Sequence, residues 1–314
     1  MGKLALNNAL DNVRDIKPLP DYSALIRHDL KHQRFNNLDN GLYVSKGSTL
    51  SSLITDIKKP FYDEMPGLMV GRQESRHSVS FGRLGGLAMD NYEEIVAVKQ
   101  SNKPEQLLGE LAMLQFLQDK TPFPTFRPVA YLSNQNEGYL FTEFNPNIFV
   151  IGMFDWQHAT ADQKNAIINE ISTGLGRLHA NFLYHGDAFV RNLAINNRNK
   201  FFIVDPELMM SGRSVVQKLG QNSLEMHEKD AAMGQLIRPM ITDLSAFYKS
   251  LIPRAFKKSK LNDSQSIFDF IQTNILPGYK QGLLSAELEN INIINELYDI
   301  IEETLRQRAE QEIL

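Results

Sequence analysis

Residues 184–207, YHGDAFVRNLAINNRNKFFIVDPE, limit the choice of fold for this chain more than any other stretch. Two short apolar runs, LAI and FFIV, flank a polar turn, and the pattern predicts a β-hairpin. Asp187, Asn192 and Asp205 stand between and after those runs. Three oxygen-bearing side chains so placed suit a hard divalent cation held against a phosphate.

The rest of the chain bounds what such a hairpin can belong to. Its 314 residues suffice for two domains, or for one domain in two lobes. A net charge of −4 gives no overall bias toward nucleic acid or an anionic membrane surface. The absence of cysteine excludes disulfides, Cys-ligated zinc and thiol catalysis, and it fits a reducing compartment, so a cytoplasmic location is expected. No apolar run approaches the roughly 20 residues needed to span a bilayer, so no membrane insertion is expected. Asn7, Asn8, Asp11 and Asn12 interrupt any signal-peptide core, and Leu6 stands where a myristoylation signal requires Ser or Thr. No internal repeat is visible.

Residues 1–75 carry no recognisable motif. Pro18, Pro20, Pro60 and Pro66 punctuate them, RFNNLDNG at 34–41 reads as loop, and weak helical patterns run over 22–33 and 48–58. The segment is expected to be an N-terminal extension of unknown role, either packed on the remainder or docking a substrate or partner.

From Ser78 the pattern turns to β. SVSFGRL, GLAMD and EIVAVKQ are short strand-like runs separated by turn signals, Gly85-Gly86 among them, which predicts an antiparallel meander. Gly82, Gly85 and Gly86 are assigned to its first turn, where the lack of a Cβ lets backbone N–H groups approach phosphate oxygens. Lys99 closes IVAVK. Alternation places it either with Ile95 and Ala97 toward a cleft or emerging into solvent. Pro104 then opens a helix whose apolar face is Leu107, Leu108, Leu111, Leu114 and Leu117. Glu110 lies at the margin of that face and wants a cation, with Lys99 the candidate. Glu105 is the alternative, though in the first turn it already suits the helix dipole. FRPVAYLS (126–133) and GYLFTEFN (138–145) complete five strands and one helix before Pro146.

Beyond Pro146 the chain reads as mainly helical. Thr160 to Gln163 forms a capping box ahead of Ile167, Ile168, Ile171, Leu175 and Leu178. Further helices are expected over 223–237, 242–250, 264–274 and 285–308. His179 and His185 are not at the i, i+4 spacing of a helical zinc pair, and His185 is assigned to packing or hydrogen bonding within its loop.

In this order the features resemble the protein-kinase-like fold: VAVK, a helix with an inward Glu, a five-strand lobe, then helix, HGDxxxxN, two strands and Asp. The resemblance covers about residues 78–250. His185-Gly186-Asp187 and Asp205-Pro206-Glu207 are more similar to the aminoglycoside phosphotransferase and methylthioribose kinase branches, and to other atypical bacterial kinases, than to protein kinases. The fold implied is α+β and two-lobed: a lobe at 76–145 with an antiparallel five-stranded sheet plus one helix, and a mainly α-helical lobe at 146–314. The cofactors implied are ATP and Mg²⁺. By the resemblance, Asp187 would orient the attacking hydroxyl and accept its proton, and Asn192 and Asp205 would hold the metal. Lys99, held by Glu110, would pair with the α- and β-phosphates under the backbone around Gly82–Gly86. Glu143, Phe144 and Asn145 would meet adenine through their backbone, with Thr142 lining the pocket. Asp243, or else Asp230, would brace the catalytic loop.

Three departures narrow the implied activity. Phe189 stands where protein Ser/Thr kinases commonly place a Lys, and Arg191 is the candidate to supply that charge at the transferring phosphate. Pro206-Glu207 replaces the Phe and Gly of the usual switch, and no Ala-Pro-Glu follows. Glu207 is either a further metal-side carboxylate or a turn residue. The expected function is transfer of the γ-phosphoryl of Mg-ATP to a hydroxyl acceptor. The missing activation segment favours a small molecule, and the unassigned residues 1–75 favour a protein. The alternative is a catalytically inactive nucleotide- or partner-binding protein. No nucleic-acid partner is expected.

Overall fold

The computed structural model describes residues 35–38, 42–45, 62–64, 78–84, 95–133, 138–143, 147–220, 225–256, 263–285 and 291–310. The architecture is mixed α+β, with antiparallel sheets. Contacts divide the chain into a sheet unit, within residues 20–146 together with Asp205–Glu207, and a helical unit, 147–204 and 208–314.

In the sheet unit the strands are β1 (Phe35–Leu38), β2 (Leu42–Ser45), β3 (Tyr62–Glu64), β4 (Ser78–Leu84), β5 (Ile95–Ser101), β6 (Pro128–Ser133) and β7 (Gly138–Glu143). They form one seven-stranded sheet in the order β1-β2-β6-β7-β5-β4-β3. This corrects the expected five strands: three of the seven come from residues 35–64, where no strand is expected and where 34–41 reads as loop. Strand β2 gains its place by pairing Leu42, Tyr43 and Val44 with Leu132, Tyr131 and Ala130, a partner far along the chain that no local pattern announces. The expected strand GLAMD at 86–90 lies outside the described residues.

Helix α1 (Pro104–Lys120) packs on this sheet. Pro104 occupies its first turn, where the missing N–H costs nothing. Leu107, Leu108, Leu111, Ala112 and Leu114 meet Tyr131 and Leu140 in the core. The Tyr131 hydroxyl donates to Pro104 O at 2.9 Å, which ties the helix start to the sheet. Gly138 makes the approach possible, since a Cβ there would lie 2.8 Å from Pro104 Cα.

In the helical unit, β8 (Ile148–Val150), β10 (Leu193–Asn196) and β11 (Phe201–Ile203) make a small sheet, ordered β11-β10-β8, while β9 (Leu183–Tyr184) pairs with β12 (Met210–Ser211). The β10–β11 hairpin is the one expected from its apolar runs, with Leu193 opposite Ile203. Its turn is local chemistry: Asn196 Oδ1 accepts the N–H of Arg198 and of Lys200, both at 2.9 Å.

The helices are α2 (Ala161–Ala180), α3 (Arg213–Leu219), α4 (Met226–Ala255), α5 (Ser264–Phe270), α6 (Leu276–Leu283) and α7 (Ile291–Glu310), with a π-helical stretch Ile271–Ile275 between α5 and α6. Both bonds of the Thr160–Gln163 capping box are present at the start of α2. The expected helices at 223–237 and 242–250 are one, running through Pro239. An internal proline costs about 3 kcal/mol, and here burial on both sides of it offsets that cost: Leu236, Ile237, Met240, Ile241 and Leu244 are all at most 3% exposed. No helix among the described residues is long and apolar enough to cross a membrane.

Candidate functional site

Strand β5 is hydrogen-bonded on both sides, to β4 and to β7, and register places Lys99 between Val79 and Leu140. Leu140 is in the core beneath α1, so Lys99 starts on the covered face. Its side chain is 12% exposed, and the ammonium does not emerge into solvent. It donates to Glu110 Oε2 and to Asp205 Oδ1, both at 2.6 Å, and lies 3.5 Å from Glu207 Oε2. The cation that Glu110 requires is therefore Lys99, and Glu105 is not its partner.

One ammonium thus faces three carboxylates, whose ligand atoms lie within 4.8 Å of one another. Burial pulls the Lys99 ammonium down, the largest single influence on it. Attraction to Glu110 and Asp205, and the hydrogen bonds to both, together outweigh burial and hold it above the usual lysine range. The cost of the surplus negative charge falls on the most enclosed carboxylate, whose ionised form is disfavoured. Burial, opposed by Lys99 and reinforced by Asp205 and Glu207, pushes Glu110 up to about 7. Asp205 takes a left-handed backbone, φ 53°, a setting that short polar side chains tolerate better than most.

The helical unit carries the second group. Asn192 Nδ2 donates to Asp187 Oδ2 at 2.8 Å and to Asp187 O at 3.0 Å. Arg191 Nη2 lies 3.5 Å from the same Oδ2, and its guanidinium sits 4.8 Å over the Phe189 ring. The loop that bears these residues is fastened at several points. Val190 N donates to Ser250 Oγ, and Asp243 accepts the N–H of His185 at 2.7 Å and of Gly186 at 2.9 Å. Asp243 is fully buried and makes the bracing bonds; Asp230, half-exposed near the start of α4, makes none of them. His185 Nε2 lies 3.2 Å from Asn192 O and 3.1 Å from Val204 O, a hydrogen-bonding role rather than a metal-binding one. Gly186 has φ +77°, and a Cβ there would come within 2.2 Å of Leu208 O.

The remaining expected residues are placed as follows. Gly82 is not in a turn: it lies inside β4, opposite Glu64 on one side and Val96 on the other. Gly85, Gly86, Phe144 and Asn145 lie outside the described residues. Thr142 is half-buried in β7 opposite Ala97. Glu143 donates its N–H to Arg127 O at 2.9 Å and accepts from Arg127 Nε at 2.9 Å, so that N–H is already committed.

Sequence reasoning missed Ser250, His179 and Tyr279. Each acts through a partner distant in the chain, 60 positions for Ser250 and Val190, and leaves no local signature beyond a polar residue on a buried helical face. The chain matches no family model and no curated protein sequence.

Proposed function

We propose that the chain is an ATP- and Mg²⁺-dependent phosphotransferase of the protein-kinase-like type. In this assignment the sheet unit is the nucleotide lobe and the helical unit the catalytic lobe. The observation that carries it is the Lys99 ammonium shared at 2.6 Å between Glu110 and Asp205. A nearly buried lysine fixed between two carboxylates is poised to exchange one of them for phosphate oxygens, while Glu110 keeps it in place.

Each unit offers a ligand of the kind Mg²⁺ takes: Asp205 of the sheet unit has a carboxylate, and Asn192 of the helical unit, whose amide nitrogen is committed to Asp187, has its Oδ1; both are hard oxygen ligands. Bound Mg²⁺ supplies charge neutralisation at the phosphates. Asp187 orients the acceptor hydroxyl. Asn192 and Arg191 both engage its Oδ2, so Oδ1 is the oxygen assigned to the acceptor. The acceptor O–H gives its proton to Asp187, its oxygen bonds the γ-phosphorus, and the bond from that phosphorus to the bridging oxygen breaks to release ADP. Arg191, steadied on Phe189, places positive charge at the transferring phosphoryl group. A small hydroxyl compound is the favoured acceptor, because no Ala-Pro-Glu segment follows Asp205.

The test is ATP turnover with Mg²⁺ by wild type, Asp187→Ala and Asp205→Ala. Each variant should lose at least about a hundredfold in rate, the effect of removing a preorganised charged group. Wild type that binds ATP without turning it over, indistinguishable from both variants, would leave a nucleotide-binding protein and end the enzyme assignment.

A further inference from the structure

Three helices of the helical unit bring one polar side chain each to a single point: His179 from the last turn of α2, Asp243 from α4 and Tyr279 from α6. All three are 0% exposed. Tyr279 Oη lies 2.7 Å from His179 Nδ1, and His179 Nε2 lies 3.1 Å from Asp243 Oδ2. A carboxylate oxygen accepts, so Nε2 is assigned as the nitrogen that donates to Asp243, and Nδ1 as the acceptor of the Tyr279 hydroxyl. Burial, then the charge of Asp243, push the Tyr279 hydroxyl well above the ordinary tyrosine range, so it remains a donor. The hydrogen bonds therefore run one way, from Tyr279 to His179 to Asp243.

Asp243 ends the series by accepting the N–H of His185 and Gly186, the two residues before Asp187. A buried carboxylate is tolerated only when its lone pairs are matched, and His179 supplies the third donor. Apolar side chains of the same volume would be as stable or more so; what the polar series adds is direction. Without the His179 donor, Asp243 is free to turn, and the backbone that sets Asp187 turns with it.

We propose that His179 and Tyr279 are positioning residues for phosphoryl transfer, holding Asp243 in the setting that fixes His185–Gly186 and thereby the Asp187 carboxylate. The proposal rests on the phosphotransferase assignment above. Two variants separate the bonds at His179. His179→Asn keeps an acceptor near Tyr279 but does not reach Asp243, whereas His179→Gln reaches Asp243 with its amide N–H.

Mg-ATP turnover and amide exchange are measured on the full chain. In His179→Asn, kcat falls roughly ten- to a hundredfold, the range expected for a slight misplacement of a reacting group. In His179→Gln, kcat stays within about threefold of wild type, and KM for ATP stays within about twofold in both, since the lost interaction serves the reaction step alone. Exchange at residues 184–192 quickens in His179→Asn but not in His179→Gln, while exchange in α7 is unchanged. Tyr279→Phe deletes one hydroxyl and shows the same pattern more weakly; it decides the question by the same two readouts should His179→Asn not fold. Equal losses in Asn and Gln, a KM that rises in step with the fall in kcat, or unaltered exchange at 184–192 would each overturn the proposal. Wild type that fails to turn over ATP sinks the phosphotransferase assignment alone, and the exchange comparison then decides whether His179 holds the loop.

Discussion

Glu110→Gln tests the charge balance of the sheet unit. Glutamine keeps the shape of Glu110 and can still accept from Lys99, but it cannot ionise. In wild type, burial raises Glu110 from 4.5 to about 7. A carboxyl whose folded-state value is raised costs stability as pH climbs from its unfolded value to its folded one, and the cost is constant above. At about 1.4 kcal/mol per pH unit the interval from 4.5 to about 7 corresponds to about 3 kcal/mol. Lys99 adds no slope in this window. Its folded value lies above the ordinary 10.5, so its stabilisation is complete below that pH and is lost only in alkali. Wild type should therefore lose stability relative to Glu110→Gln between pH 4.5 and 7, with a level difference beyond. Trp156, the single tryptophan, lies in the helical unit and does not report on this change. Amide exchange in α1, followed across a urea series at each pH, does. If wild type instead gains on the variant over the same interval, attraction to Lys99 outweighs burial at Glu110 and the reasoning is wrong.

Lys99→Met leaves three carboxylates without their shared cation. It should cost about 3–5 kcal/mol in the sheet unit at pH 8, the usual penalty for removing one partner of a buried pair, and less at pH 5, where the carboxylates take up protons; the same exchange measurement checks both. Gly186→Ala forces a Cβ against Leu208 O in a left-handed backbone and should destabilise the helical unit by at least about 2 kcal/mol, read as a shift in the urea midpoint of Trp156 fluorescence. Thr160→Ala removes the accepting side chain of the α2 cap, 3.2 Å from Gln163 N, and should cost about 1 kcal/mol by the same midpoint.

Features set by near neighbours were legible in the sequence. The capping box at Thr160, the proline opening α1 and the β10–β11 hairpin all rest on residues a few positions apart, and each forms where its pattern lies. The helical face of α1 likewise exposed Glu110 as a carboxylate in need of a cation. Several elements of secondary structure that depend on distant partners were not legible. Residues 34–41 read as loop because Asn, Asp and Gly dominate them, yet Phe35–Leu38 becomes strand β1 by pairing with β2, which itself pairs with the distant β6. Helix α4 reads as two because Pro239 breaks the local pattern, and packing restores continuity. Gly82 reads as a turn glycine, yet two neighbouring strands hold it straight.

The sequence by itself determined which chemical groups are present and in what order: Lys99, Glu110, Asp187, Asn192, Asp205, Glu207 and Asp243. Only the tertiary structure decided how charge and protons are shared among them. It set Lys99 against three carboxylates rather than one, made Glu110 the one that burial pushes upward, and turned Asp243 onto the backbone ahead of Asp187. The reason is physical. Covalent order specifies neighbours along the chain, whereas the energy of a charge depends on how much water the fold removes around it and which donors it brings within reach.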